Sequence, residues 1–112
     1  MKIAIPAAQG RLSAHFGHCE QFALFETDGQ GTDIVNKSVH PAPPHAPGLL
    51  PQWLHDLGAD VIIAGGMGQR AQQLFAQNGI TVVVGAPADT PEELAAAYLA
   101  GTLQPGENIC DH

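Results

Sequence analysis

The chain has 112 residues, of which 45% are apolar, and carries 11 acidic against 4 basic residues for a net charge of −7. That length can close a core as one domain, residues 1–112, without staples. The charge argues against nucleic acid and against an anionic membrane surface. It still permits a small anion held locally by backbone N–H groups, Arg11, Arg70 and histidines.

The first residues, Met1-Lys2-Ile3-Ala4-Ile5, lead straight into a β-branched run and lack the three regions of an export signal. The cytosol is therefore the expected compartment. The only two cysteines, Cys19 and Cys110, are expected as free thiols. Titration of unreduced, anaerobically prepared protein should find both; finding none, with a mass two hydrogens lighter, would show a disulfide instead.

Lys2 to Pro6 reads as a strand that Pro6 ends, and Ala7 to Cys19 as a loop. Glu20 to Asp28 is a second strand with Phe22, Leu24 and Phe25 as bulk. The turn Asp28-Gly29-Gln30-Gly31 leads to a third strand, Thr32 to Val39, and the two form an antiparallel hairpin. His40 to Pro51 holds five of the nine prolines and should be irregular until its end. Leu50, Trp53, Leu54 and Leu57 then recur at helical spacing, with Gly58 as the stop. Ala59 to Ala64 is a buried strand, too short in its apolar run to span a bilayer. After the turn Gly65-Gly66-Met67-Gly68, a helix runs from Gln69 to Asn78, closed by Gly79. Ile80 to Val84 is the fifth strand. Thr90-Pro91-Glu92-Glu93 combines an N-cap, a proline at the first helical position and a capping-box glutamate, and opens a helix that ends at Gly101.

The order β-β-β-α-β-α-β-α predicts an α/β fold, a mixed five-stranded sheet with helices on its faces. The last two strands belong to a right-handed parallel crossover. Ligands of such sheets gather outside the carboxyl ends of the parallel strands. If the first and fourth strands are neighbours, the loop after one and the glycine turn after the other open onto the same edge.

Those two loops hold the residues with chemistry. His15-Phe16-Gly17-His18-Cys19 places two imidazoles and a thiol within five residues, around a glycine that lets backbone approach a ligand. Imidazole and thiolate hold soft and borderline metals, and imidazole also donates to anions. His15, His18 and Cys19 are therefore the candidate metal ligands. The alternative is a surface loop whose cysteine packs as a small hydrophobe. No Cys-x-x-Cys pair exists, so this is not a closed zinc motif. Cys110-Asp111-His112 forms a second small cluster.

Gly65, Gly66, Met67, Gly68 and Arg70 follow a strand and open a helix, where successive N–H groups cradle anions; a plain strand–helix turn is the alternative. Gly66, Gly68 and Ala71 match a dinucleotide fingerprint. They follow the fourth strand rather than the first, however, and Gly85 stands where the acidic partner would be. Met67 is either a soft ligand or core filling. His40 and His45 flank the proline loop as a stiff wall or as plain surface. Trp53 suits core or lid packing, His55 the solvated face of its helix, and Glu92 and Glu93 the helix N-terminus. Ser13 lacks nucleophile-elbow glycines, and Ser38 sits in a strand. No phosphate loop and no paired carboxylates accompany the histidines.

The segments His15-Phe16-Gly17-His18-Cys19 with Phe22, Gly48-Leu49-Leu50-Pro51 with Trp53 and Leu54, and Gly65-Gly66-Met67-Gly68 with Arg70 and Ala71 resemble the nitrogenase iron–molybdenum cofactor-binding family. So do Gly79-Ile80 and the closing Gly101, Cys110 and His112. The resemblance covers nearly the whole chain. One branch, the orange proteins, is similar in size and holds a molybdenum–copper–sulfide cluster non-covalently. The resemblance implies a ribonuclease-H-like fold and the binding, carriage or assembly of a metal–sulfur cluster without turnover. It also implies company with P-loop ATPases of the cell-division and cluster-scaffold type. Molybdenum–copper sulfide, an iron–molybdenum precursor and an iron–sulfur centre all remain open. Two cysteines are too few for four-thiolate ligation of an iron–sulfur cluster by one subunit. The competing readings are a small metal- or thiol-dependent enzyme and a regulatory interaction domain with a vestigial site.

Overall fold

The structure is a computed structural model that describes residues 1–8, 11–12, 20–29, 33–42, 49–86 and 89–103. The elements run β1 (Lys2–Ala8), β2 (Arg11–Leu12), β3 (Gln21–Thr27), β4 (Ile34–Pro41), α1 (Leu49–Asp56), β5 (Val61–Ile63), α2 (Gln69–Gln77), β6 (Thr81–Val83) and α3 (Pro91–Ala100). Among the described residues the sheet has six strands, not the expected five, in the order β4-β3-β1-β5-β6 with β2 on β1. The extra strand is two residues long and pairs antiparallel with the end of β1, Ala7 opposite Leu12 and Ala8 opposite Arg11. Two residues carry no periodicity for a sequence reading to detect.

As expected, β1, β5 and β6 are mutually parallel and adjacent, and β3 and β4 form an antiparallel hairpin. Two prolines lie inside strands, against expectation, for one shared reason. On β1 the carbonyls of Met1 and Ala7 accept from Thr27 and Glu20 on the β3 side, while that of Lys2 accepts from Asp60 on the β5 side. Pro6 therefore turns its missing N–H toward β5. The parallel ladder goes no further than Ala4 opposite Ile62, whereas the ladder to β3 continues past Pro6 to Ala7 opposite Gln21. On β4, Ala42 donates to the Glu20 carbonyl, so by alternation Pro41 faces away from β3 along an open edge, where no ladder bond is lost. The stretch expected to be irregular is thus still strand at His40 and Pro41, and His40 belongs to β4.

Alternation along the strands sends one apolar set to each face of the sheet. Ala4, Phe22, Leu24 and Ile62 pack with Leu50 and Leu54 of α1 and Phe75 of α2. Ile3, Ile5, Phe25, Val61 and Ile63 pack with Leu94 and Ala95 of α3. In α1, Pro51 is in the first turn, where its absent N–H has no intrahelical acceptor to lose. The predicted cap of α3 is present: Glu93 N–H donates to Thr90 Oγ1 at 3.3 Å, and Gly101 ends the helix in the left-handed region at φ +74°. No helix among the described residues is long and apolar enough to cross a membrane.

Lys37 of β4 reaches Glu92 of α3, with Nζ 2.6 Å from Oε1. The hydrogen bond from Lys37 holds the Glu92 carboxyl below the usual glutamate range. Its contribution to stability is therefore present above the unfolded-state value and lost as pH falls through the lowered folded-state value. Both side chains are about half exposed, so Glu92→Gln should cost under about 1 kcal/mol at neutral pH. In acid, where the wild-type carboxyl is also neutral, urea melts of the two proteins should coincide.

Candidate functional site

The ends of β1, β4, β5 and β6 and the start of β3 share one edge of the sheet, because Ala7 pairs with Gln21, Gln21 with Pro41, and β5 and β6 run parallel to β1. Leu12 N–H donates to the Asp89 carbonyl, Glu20 N–H to Ala7, and Ala42 N–H to Glu20, each at 3.0 Å. The flanking residues of segments 13–19 and 43–48 are thus tied to the edge from which the Gly65 turn leaves β5. His15, Phe16, Gly17, His18, Cys19 and His45, together with Cys110 and His112, lie outside the described residues.

The glycine turn is tied to the turn after β6. Ala64 N–H donates to the Val83 carbonyl at 2.8 Å, Gly85 N–H to Gly65 at 3.0 Å, and Ala86 N–H to Ala64 at 3.2 Å. Gly85 has φ +78°, which favours glycine there. Further along, the Met67 carbonyl accepts from Gln72 Nε2 at 3.0 Å and the Gly68 carbonyl from Gln72 N–H at 3.1 Å. The carbonyls of Ala64, Gly65, Met67 and Gly68 are therefore all consumed within the protein. The first-turn N–H groups of α2 have no intrahelical acceptor. The N-cap is Gly68, with no side-chain cap, and no acidic residue stands in the first turn.

Arg70 is exposed in that same turn and forms no ion pair with a described residue. The result is a donor-rich, positive helix end on a protein of net charge −7. Gly65 and Gly66 are buried. Met67 is 1% exposed and packs in the core beside Phe75, so its thioether faces protein rather than solvent.

His40 is half-buried beside the same edge. It pairs across the ladder with Phe22, and Trp53 of α1 meets both rings, with centroids 5.5 Å from Phe22 and 6.2 Å from His40. Trp53 thus bridges the buried Phe22 and the half-buried His40. His55 is exposed on the outer face of α1, as expected, 3.6 Å from the Asp56 carboxylate. Sequence reasoning missed Ser38, whose hydroxyl lies 3.0 Å from His40 Nε2. Its i, i+2 spacing to His40 was the available signal once the strand is extended through Pro41. Among the described residues, no three His, Cys, Asp or Glu side chains cluster to hold a metal ion.

A mixed six-stranded sheet with helices on both faces and a glycine turn at its carboxyl edge defines the class: a small α/β protein. The family model for dinitrogenase iron–molybdenum cofactor matches residues 1–101, and the chain belongs to that family. It is 29% identical over 107 residues to the uncharacterised protein MJ0580 of Methanocaldococcus jannaschii, covering 93% of this chain and 90% of that one. The crystal structure of PH0822 superposes with a TM-score of 0.85 at 31% identity, covering 94% of each chain. The apo form of the orange protein from Desulfovibrio gigas shares the fold, with a TM-score of 0.72 at 21% identity over 96% of this chain and 93% of that one.

Proposed function

We propose that the chain binds and carries an anionic metal–sulfur cluster at the carboxyl edge of the sheet and performs no turnover on it. The observation that carries this reading is the turn 64–70. The carbonyls of Ala64, Gly65, Met67 and Gly68 are consumed internally, the helix end has neither side-chain cap nor acid, and a cation stands in the first turn. The missing cap and acid and the first-turn cation are locally wrong for a stable helix, and together with the consumed carbonyls they suit an anion. A sulfide-furnished cluster such as a molybdenum–copper sulfide needs donors and positive potential more than it needs thiolates. His15, His18, His45 and Arg70 would supply charge and donors and His40 a ring nitrogen, with Phe16 beside them and Gly17, Gly65, Gly66 and Gly68 giving close approach. Cys19 would add a direct ligand where the cluster presents an open copper or iron. The family assignment supports a cluster of this kind; the ATPase partnership rests on the sequence resemblance alone.

Apo-protein mixed anaerobically with tetrathiomolybdate and copper(I), then desalted, should retain molybdenum in stoichiometric amount with visible charge-transfer bands. A protein that emerges colourless and metal-free, or that takes up only zinc, would overturn the reading in favour of an enzyme or a vestigial site.

A further inference from the structure

Ser38 and His40 alternate on β4, so they share one face of the strand. The Ser38 hydroxyl engages His40 Nε2 at 3.0 Å. Trp53 meets the imidazole nearly edge-on, at 85°, and Phe22 stands opposite on β3. The ring is thus confined by two aromatic neighbours and one hydrogen bond, and Nδ1 is the nitrogen left without a partner among the described residues. Histidines that serve a bound group through one nitrogen generally have the other held by an outer acceptor, which fixes both tautomer and orientation. A serine hydroxyl can accept from Nε2–H and so leave the Nδ1 lone pair bare.

We propose that Ser38 is a positioning residue that holds His40 in the Nε2–H tautomer, with Nδ1 as its ligand-facing nitrogen. This rests on the reading that the carboxyl edge holds the cluster. Ser38 and His40 border a shallow groove of about 240 Å³ shared with Lys2, Leu24, Glu26 and Asn36, and Ser38 is exposed. In Ser38→Ala, groove water can therefore meet Nε2, no buried group is orphaned, and the fold should be unchanged.

Two measurements test the inference. In apo-protein at mildly alkaline pH, long-range proton–nitrogen spectra of the imidazoles should show His40 as a single tautomer with its proton on Nε2. Ser38→Ala should give a mixture, and Ser38→Thr should restore the single form. In titrations with tetrathiomolybdate and copper(I), Ser38→Ala should weaken binding about tenfold, and Ser38→Thr should recover it. Added to His40→Ala, Ser38→Ala should have no further effect. If His40→Ala weakens binding while Ser38→Ala changes neither tautomer nor affinity, the positioning role is wrong and the cluster reading stands. If His40→Ala binds as wild type does while Arg70→Glu does not, the cluster still sits at the edge, but His40 is not its contact and the inference falls. If wild-type protein binds nothing, both fall together.

Discussion

His15→Ala and His18→Ala are each expected to weaken retention of a molybdenum–copper sulfide about ten- to hundredfold. A hydrogen bond to a charged group is worth about 1.5–3 kcal/mol, and the residues flanking the segment that carries both rings, Leu12 and Glu20, are tied to the edge that holds the Gly65 turn. If both rings serve the ligand rather than the fold, melting temperatures should stay close to wild type. Cys19→Ser separates two modes of binding. If the cluster is held as an anion by donors alone, the serine variant should bind nearly as well as wild type, and affinity should fall with added salt. If sulfur ligates the metal, the variant should lose binding as the histidine variants do, and salt should matter less. His55→Ala is the control, because His55 is exposed on the far face of α1 beside Asp56. Equilibrium titration by visible absorbance reads all of these. Histidine variants that bind like wild type would remove residues 13–19 from the site.

The parts of the fold that were legible are those where one physical signal acts alone. The apolar periods of α1 and α2, the cap of α3 and the parallel β1–β5–β6 core follow from residue spacing and stop signals. Legibility failed where a residue type has two meanings. Pro6 and Pro41 read as strand ends because proline removes a ladder donor, yet at both positions alternation turns the missing N–H away from a needed bond. Met67 read equally as ligand or filler, and only burial shows it packed in the core. The Gly65 turn was visible as a glycine cluster. That the Ala64 and Gly65 carbonyls are consumed could not be read from sequence, because their donors, the N–H groups of Ala86 and Gly85, arrive from the turn after β6. Ser38 was passed over as a strand serine because its strand was ended one residue before the histidine it meets.

Arg70→Glu should move binding and stability in opposite directions. The first turn of α2 lacks both a side-chain cap and an acid, so its N–H groups and the Arg70 charge add to one positive end. Charge at that position interacts with the helix dipole by about 0.3–1 kcal/mol. Reversal from cation to anion removes one unfavourable contribution and adds a favourable one, so the apo variant should melt a few degrees higher. The same reversal places a carboxylate where an anionic cluster would approach, and affinity should fall at least tenfold, by the loss of a charged donor and by repulsion. Arg70→Gln should fall between the two in both measurements, since it removes the charge without inverting it. Stability gained while binding is lost is the mark of a residue kept for a ligand. If Arg70→Glu retains the cluster, the turn 64–70 does not face it and the site must be rebuilt around other residues. If the variant instead melts lower, Arg70 is holding the fold.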